Sequence, residues 1–220
     1  MLLKFPNIIN QGGETIINQD GEAIYYGSLL NNEQNEHYFN ILLNNIEWQP
    51  ERVNLFGKEI TTKRKVAFYA DPLIEYTYSN KTKKGIPWTD TLLDIKKMIE
   101  THTKTNYNAC LLNLYHSGEE GMGWHSDDEK EIVKHSSIAS LSIGVERNFA
   151  FKHKTMQEKV SILLESGSLL EMKGAIQQYW LHALPKSKKV NGPRINLTFR
   201  QMITLPQHEK LRHKHPLYEK

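Results

Sequence analysis

The sequence predicts an α+β fold: a jelly-roll core, or double-stranded β-helix, behind N-terminal helices. Three observations carry this. Two stretches in the first half, 28–46 and 87–103, repeat apolar residues at helical spacing. From residue 109 onward the pattern changes to short apolar segments separated by turns, at 109–115, 137–144, 148–153, 160–164, 168–172, 177–184 and 194–203. Many short strands with regular turn signals mark a sandwich or a barrel-like jelly roll. Finally, residues 194–200 alternate strictly, with Arg194, Asn196, Thr198 and Arg200 on one face and Ile195, Leu197 and Phe199 on the other.

The chain has 220 residues, 39% hydrophobic and 24% charged, an ordinary globular mixture. That allows one sizeable domain with an appended subdomain. A net charge of +3 is only mildly basic, so nucleic-acid binding has to be argued from local clusters. The single cysteine, Cys110, lies in an apolar strand-like run and excludes an intrachain disulfide or a Cys-rich zinc site. The first residues lack a basic segment followed by an apolar one, and no run of roughly 18 apolar residues occurs. A soluble, reducing compartment is expected: bacterial-type cytoplasm, or cytosol and nucleus, with no membrane partner.

Residues 1–28 mix short apolar pieces with Gly and Asn and read as loops and short edge strands. Leu29, Leu30, Phe39, Leu42, Leu43 and Ile46 then make one helix face. That helix ends at Trp48-Gln49-Pro50, because the residue before a proline is pushed toward extended geometry. Val53-Asn54-Leu55-Phe56-Gly57 sets an apolar tip beside a glycine, and Lys63-Arg64-Lys65 follows. Val66 to Tyr69 reads as a strand, Asp71-Pro72 as a turn, residues 76–79 as a strand, and Lys81, Lys83 and Lys84 as a basic loop. Aromatics between basic clusters suit a surface that tracks phosphates and stacks bases. A hairpin with core aromatics and solvated lysines accounts for the same residues. Pro87 and Asp90 open the second helix, which turns Leu92, Leu93, Ile95 and Ile99 inward. The tail 206–220 carries Lys210, Arg212, His213, Lys214 and His215 and is expected to be mobile.

The chemistry starts from His125-Ser126-Asp127, which follows a loop containing Gly118, Gly121 and Gly123. Two residues apart on an extended segment, the imidazole and the carboxylate point to one side and can take adjacent positions on a metal ion. A second histidine would complete a 2-His-1-carboxylate facial set, which leaves coordination sites open and suits Fe(II) oxygenases. Of ten histidines, His182 is singled out by the apolar strand-like run 179–185, whereas His102, His153, His208, His213 and His215 fall in helix, loop or tail. Taken singly, His125-Ser126-Asp127 fits a surface turn and His182 a core residue. Arg194 and Arg200 connect them, because two unpaired guanidiniums inside a jelly-roll cup are costly without an anion. Planar forks match carboxylates, and a small dicarboxylate beside such an iron is 2-oxoglutarate.

Asn113-Leu114-Tyr115, His125-Ser126-Asp127, the late His182 and the 194–200 strand closely resemble the AlkB family of Fe(II)/2-oxoglutarate-dependent nucleic-acid dealkylases, over roughly residues 48–203. The resemblance implies Fe(II), 2-oxoglutarate as cosubstrate, and O2. It makes His125, Asp127 and His182 the catalytic iron ligands, and Asn113, Tyr115, Arg194, Asn196, Thr198 and Arg200 the cosubstrate set. Arg200 would then lie nearer the iron and Arg194 at the distal carboxylate. Within the family the chain is most like the eukaryotic-type homologue that prefers duplex DNA. Phe56 resembles a finger aromatic that fills the gap left by a flipped base. Tyr76 and Tyr78 resemble a lid strand, with Tyr78 stacking on the base against His125 where a phenylalanine is expected. Asp128 and Glu129 resemble a base-recognising acidic pair, and residues 146–149 an Arg-containing strand. Arg64, Lys186, Lys188 and Lys189 belong to basic clusters facing the DNA backbone. The family's common Asn-Arg-Tyr is Asn-Leu-Tyr here, so any role of the middle Arg is absent.

The implied organisation is an N-terminal extension with a nucleotide-recognition lid at 1–90, a jelly-roll core at 91–205 and a basic tail at 206–220. The implied activity is repair of 1-methyladenine and 3-methylcytosine in DNA, above all duplex DNA, by a monomer that releases succinate and formaldehyde. Two alternatives stay open: a 2-oxoglutarate oxygenase acting on RNA, a protein or a small molecule, and a non-catalytic jelly roll that holds zinc. The first leaves Phe56 and the basic clusters unused; the second leaves Arg194 and Arg200 without an anion.

Overall fold

In the computed structural model, which describes residues 2–3, 12–55, 58–78 and 81–204, the chain opens with strands β1 (Leu2–Leu3), β2 (Glu14–Ile17) and β3 (Glu22–Ser28). Helix α1 (Asn32–Asn45) precedes β4 (Gln49–Leu55), β5 (Lys58–Ala70), β6 (Glu75–Tyr78) and β7 (Lys81–Lys84). Helix α2 (Asp90–Thr103) leads to β8 (Ala109–Tyr115), β9 (Met122–His125), β10 (Ile138–Gly144) and β11 (Arg147–His153). After β12 (Lys159–Leu164) and β13 (Ser168–Lys173), a four-residue helix α3 (Ile176–Tyr179) enters β14 (Trp180–Leu184), and β15 (Arg194–Arg200) follows.

Eight strands form one sheet in the order β2-β3-β13-β10-β15-β8-β5-β4, and five form another in the order β1-β12-β11-β14-β9. These are the two sheets of the expected jelly roll. Between them Tyr25, Ile138, Leu170 and Met172 of the large sheet meet Phe151, Ile162, Leu164 and Trp180 of the small one in a single buried cluster. The other face of the large sheet turns Leu112, Leu141, Leu197 and Phe199 against Leu42 of α1 and Leu92, Ile95 and Ile99 of α2. Strands covered on both faces bury nearly every residue, as β8 does, and Cys110 is sealed there. The helices begin where their caps direct. Asn31 and Gln34 form a reciprocal capping box on α1, and the Thr89 side chain accepts from Leu92 N–H on α2. Such caps contribute about 1 kcal/mol each.

The structure corrects several expectations. Strand β3 is not an edge: it lies between β2 and β13, and Ala23 to Tyr26 are all buried, contributing to clusters on both faces. The division at residue 90 does not follow the sheet, because β3 pairs with β13 and β5 pairs with β8 from Lys65–Leu114 to Ala70–Ala109. Lys81 to Lys84 form a strand, β7, hydrogen-bonded to β6, since backbone pairing makes no demand on side-chain polarity. The strand expected at 177–184 starts late. Gly174, at φ 67°, turns the chain into α3 before Trp180 begins β14. The tail 206–220 lies outside the described residues. Among those described, no helix is long and apolar enough to cross a membrane.

Candidate iron and cosubstrate site

Strand β9 is paired to β14 so that His125 lies directly opposite His182, with ring centroids 4.3 Å apart. The register shifts between His182 and Leu184, and Met122 and His125, three residues apart, both line the cavity. A bulge can do this where strict alternation would put them on opposite faces. Asp127 follows β9, its backbone N–H donating to Gln177 Oε1 at 2.9 Å. Its Oδ1 lies 3.6 Å from His125 Nε2 and 3.7 Å from His182 Nε2. His125 Nδ1 is 2.9 Å from the Gly123 carbonyl, which can only accept, so the proton is on Nδ1 and the Nε2 lone pair is free for a metal. The three ligand atoms lie within 4.8 Å of one another, the only such group found among the described residues.

Electrostatics keep these donors in their ligating forms. Burial pushes the His125 pKa down, and the neighbouring His182 pushes it further, so the imidazole stays neutral. Burial alone would raise the Asp127 carboxyl, but the Arg200 guanidinium and the two histidines hold it well below the usual carboxylate range. Arg200 Nη2 and Nε approach Asp127 Oδ2 at 2.5 and 3.2 Å. One oxygen therefore serves Arg200 and the other faces the imidazoles. Phe149 stacks on the His182 ring at 5.5 Å and limits its rotation.

The wall opposite is built by β15 against β8, with Arg194 across from Tyr115 and Asn196 across from Asn113. With Thr198 and Arg200 they line a cavity of about 380 Å³ shared with the His-Asp-His corner. Asn196 Nδ2 donates to Ser140 Oγ at 2.8 Å, and Thr198 Oγ1 donates to Asn196 Oδ1 at 3.3 Å. Arg194 Nη2 donates to Ser142 Oγ at 2.8 Å, while its buried Nε has no partner. Burial pushes the Arg194 pKa down to about 10 against the pull of Tyr115. No carboxylate pairs with it among the described residues. The expectation of two unpaired guanidiniums thus holds for Arg194 alone, since Arg200 has Asp127. A dianion fits this arrangement, with one carboxylate completing Arg194 and the other end reaching the metal corner.

The predicted substrate residues are scattered more widely. Phe56 lies outside the described residues, as do the side chains of Tyr76 and Tyr78, whose backbones pair with Lys83 and Lys81. Glu129 is half-buried and lines the cavity, whereas Asp128 is exposed. Lys186, Lys188 and Lys189 are exposed on the β14–β15 loop, which is bonded to the loop at Gly118 through Ser187 N–H and Val190 O. Arg147 fastens the same two loops by donating to the carbonyls of Glu120 and Pro185 at 2.8 and 2.9 Å. Arg64 is a correction. Lys63 and Lys65 are exposed, but Arg64 is buried against Glu51 and cannot face a DNA backbone. Sequence reasoning missed Glu51, Gln177, Ser140 and Ser142. Only the serines left a signal, two hydroxyls at period two in the apolar segment 138–144.

Two imidazoles and a carboxylate at one end of a jelly-roll cup, with a buried guanidinium lacking its anion at the other, define a metal-dependent oxygenase scaffold that takes an acidic cosubstrate. The chain belongs to the 2OG-Fe(II) oxygenase superfamily, whose model matches residues 22–200, and with the family come Fe(II), 2-oxoglutarate and O2. It is 39% identical over 160 residues to the DNA oxidative demethylase ALKBH2 of Bos taurus, covering 69% of this chain and 58% of that protein. It is 40% identical over 154 residues to the alpha-ketoglutarate-dependent dioxygenase alkB homolog 3 of Bos taurus, covering 66% and 53%. The chain thus spans rather more than half the length of these curated relatives. The solved structure of OsALKBH1 shares the fold, with a TM-score of 0.58 at 14% identity over 86% of this chain and 100% of that one.

Proposed function

We propose that this chain is an oxidative DNA dealkylase that removes N-linked methyl groups from 1-methyladenine and 3-methylcytosine, with duplex DNA its preferred substrate. The observation that carries the reading is the shared cavity, in which the His125–Asp127–His182 group and the anion-free Arg194 face the same space. The relatives named DNA oxidative demethylase direct the choice of substrate.

In this reading His125, Asp127 and His182 hold the iron, and Asn113, Tyr115, Arg194 and Asn196 hold 2-oxoglutarate, with Thr198 supporting Asn196. With O2 as oxidant, bound iron and 2-oxoglutarate would supply an oxidation in which one oxygen atom goes to the methyl group and the other to succinate, with loss of CO2, and the hydroxymethyl group would leave as formaldehyde. The protein's share is positional. Arg200 keeps Asp127 ionised, Gly123 fixes the His125 tautomer, and Val66, Phe68, Leu184 and Met172 give the cavity apolar walls that exclude water. A methylated base inside a duplex is unreachable and has to be flipped out, which costs less once its Watson–Crick pairing is lost. Glu129 lines the cavity that the base would enter, and the exposed Lys186, Lys188 and Lys189 are placed for the flanking phosphates.

The test compares succinate and formaldehyde release on methylated duplex DNA, single-stranded DNA and RNA. Release is expected on DNA and highest on duplex. Turnover confined to RNA would replace the substrate assignment, and no release on any of the three would remove the dealkylase reading.

A further inference from the structure

We propose that Arg64, clamped by Glu51, is a positioning residue for the cosubstrate: it holds the Tyr115 hydroxyl as an obligate donor into the cup. The inference rests on the cosubstrate reading above and assigns a task to two residues that reading leaves unused.

Arg64 sits between two exposed lysines yet is only 5% exposed, and its partner Glu51 only 6%. The pair is side-on. Arg64 Nε donates to Glu51 Oε2 at 3.0 Å, Nη2 donates to Oε1, and Thr62 Oγ1 adds a hydrogen bond to Oε2 at 3.0 Å. Stability alone is a weak reason for such a pair, since desolvating both ions costs about what their attraction returns and an apolar pair would pack as well. What an apolar pair could not supply is the remaining nitrogen. Nη1 donates to the Tyr115 hydroxyl oxygen at 3.2 Å and approaches Met122 Sδ at 3.2 Å.

The direction of that hydrogen bond has a consequence. A guanidinium has donors and no acceptor, so the phenol oxygen accepts from Arg64 and its own hydrogen has to point elsewhere. The other cations near the ring are no help: the guanidinium carbon of Arg194 lies 5.6 Å from its centroid, and that of Arg147 lies 5.9 Å away. None of these cations can accept a proton. Among the described residues no group accepts from the Tyr115 hydroxyl. Tyr115 lines the cavity, as does Arg194, whose Nε lacks a partner. Two unsatisfied donors on facing strands therefore converge on one place for an anionic oxygen. Glu51 holds Arg64, Arg64 orients Tyr115, and Tyr115 joins Arg194 on the distal carboxylate.

The test is a double-mutant cycle read by equilibrium binding, without turnover. 2-Oxoglutarate is titrated calorimetrically into protein loaded with Mn(II). Tyr115→Phe should weaken binding by about tenfold, the loss of one charge-assisted hydrogen bond. Glu51→Gln combined with Arg64→Met removes the pair without stranding a buried charge, and should weaken binding to a similar degree. In the Tyr115→Phe background the same double substitution should change affinity by no more than about twofold, because the hydroxyl it orients is gone. Oxalate, which binds a metal but has no distal carboxylate, should bind all four proteins alike; a general structural defect would weaken it too. Should the double substitution not fold, Arg64→Lys keeps the charge beside Glu51 while losing the fork, and takes its place in the cycle with the same expected loss. Equal losses with and without the Tyr115 hydroxyl, or no loss from the pair, would overturn the inference. Failure of the unsubstituted protein to bind 2-oxoglutarate would instead overturn the cosubstrate reading beneath it.

Discussion

Strand β15 and the β6–β7 hairpin stand for the two halves of the proposed task, and they are built in opposite ways. β15 lies between β10 and β8, hydrogen-bonded along both edges, with every residue but Asn196 buried. Among the described residues, β6 and β7 pair only with each other, in a separate two-stranded sheet. A strand held on both edges cannot shift without breaking two ladders, whereas an isolated hairpin is marginal on its own. The difference teaches where tolerance is allowed. In the proposed function the small cosubstrate would be met by central strands, and the large nucleic-acid substrate by peripheral hairpins and loops.

Four substitutions test that division, in descending order of effect. Asp127→Ala should abolish turnover, because it removes a metal donor and strips Arg200 of its counter-ion; metal content and succinate release report both. Full activity in that variant would end the site assignment. Phe56→Ala, whose role rests on resemblance alone, should lower repair of 1-methyladenine in duplex DNA by roughly ten- to a hundredfold, the stacking of one base being about 1–3 kcal/mol. Single-stranded repair should change little, and equal losses on both would retire the wedge. Arg194→Ala should weaken 2-oxoglutarate at least about tenfold, as expected when one partner of a buried charge pair is removed. Its affinity for unmodified DNA should stay the same, and a joint loss would blur the boundary between centre and periphery. Lys188→Ala should weaken DNA of any sequence modestly and reduce the salt slope by about one, leaving 2-oxoglutarate affinity untouched.

The parts legible in the sequence were those whose periodicity and chemistry coincide. The alternation of residues 194–200 named both faces of β15, and His125, Asp127 and His182 do converge as expected. Arg64 departs from its expected exposure for a physical reason. In Lys63-Arg64-Lys65 three like charges read as one solvated cluster, and only the pairing of β5 with β8 shows which of them turns inward. Its partner Glu51, between Pro50 and Arg52, has no local pattern at all. Strand β3 departs from the expectation because its neighbouring glycines and asparagines suggest loops, while β2 and β13 cover its edges and two clusters drawn largely from remote sequence bury its faces. Arg200's engagement with Asp127 spans 73 residues and is likewise invisible to local reading.

Cys110 gives the fold a chemical property beyond packing. It is the chain's single thiol, wholly enclosed in β8, and burial pushes its pKa well above the usual value despite the nearby Arg200. At neutral pH the reactive thiolate is therefore not formed and no solvent path reaches the sulfur. Electrophiles that methylate bases, and peroxides shed by iron chemistry, meet no cysteine thiolate on the native surface. The folded chain has no dithiol couple to titrate against its surroundings, so any redox sensitivity of its activity lies at the Fe(II) site and not in cysteine chemistry.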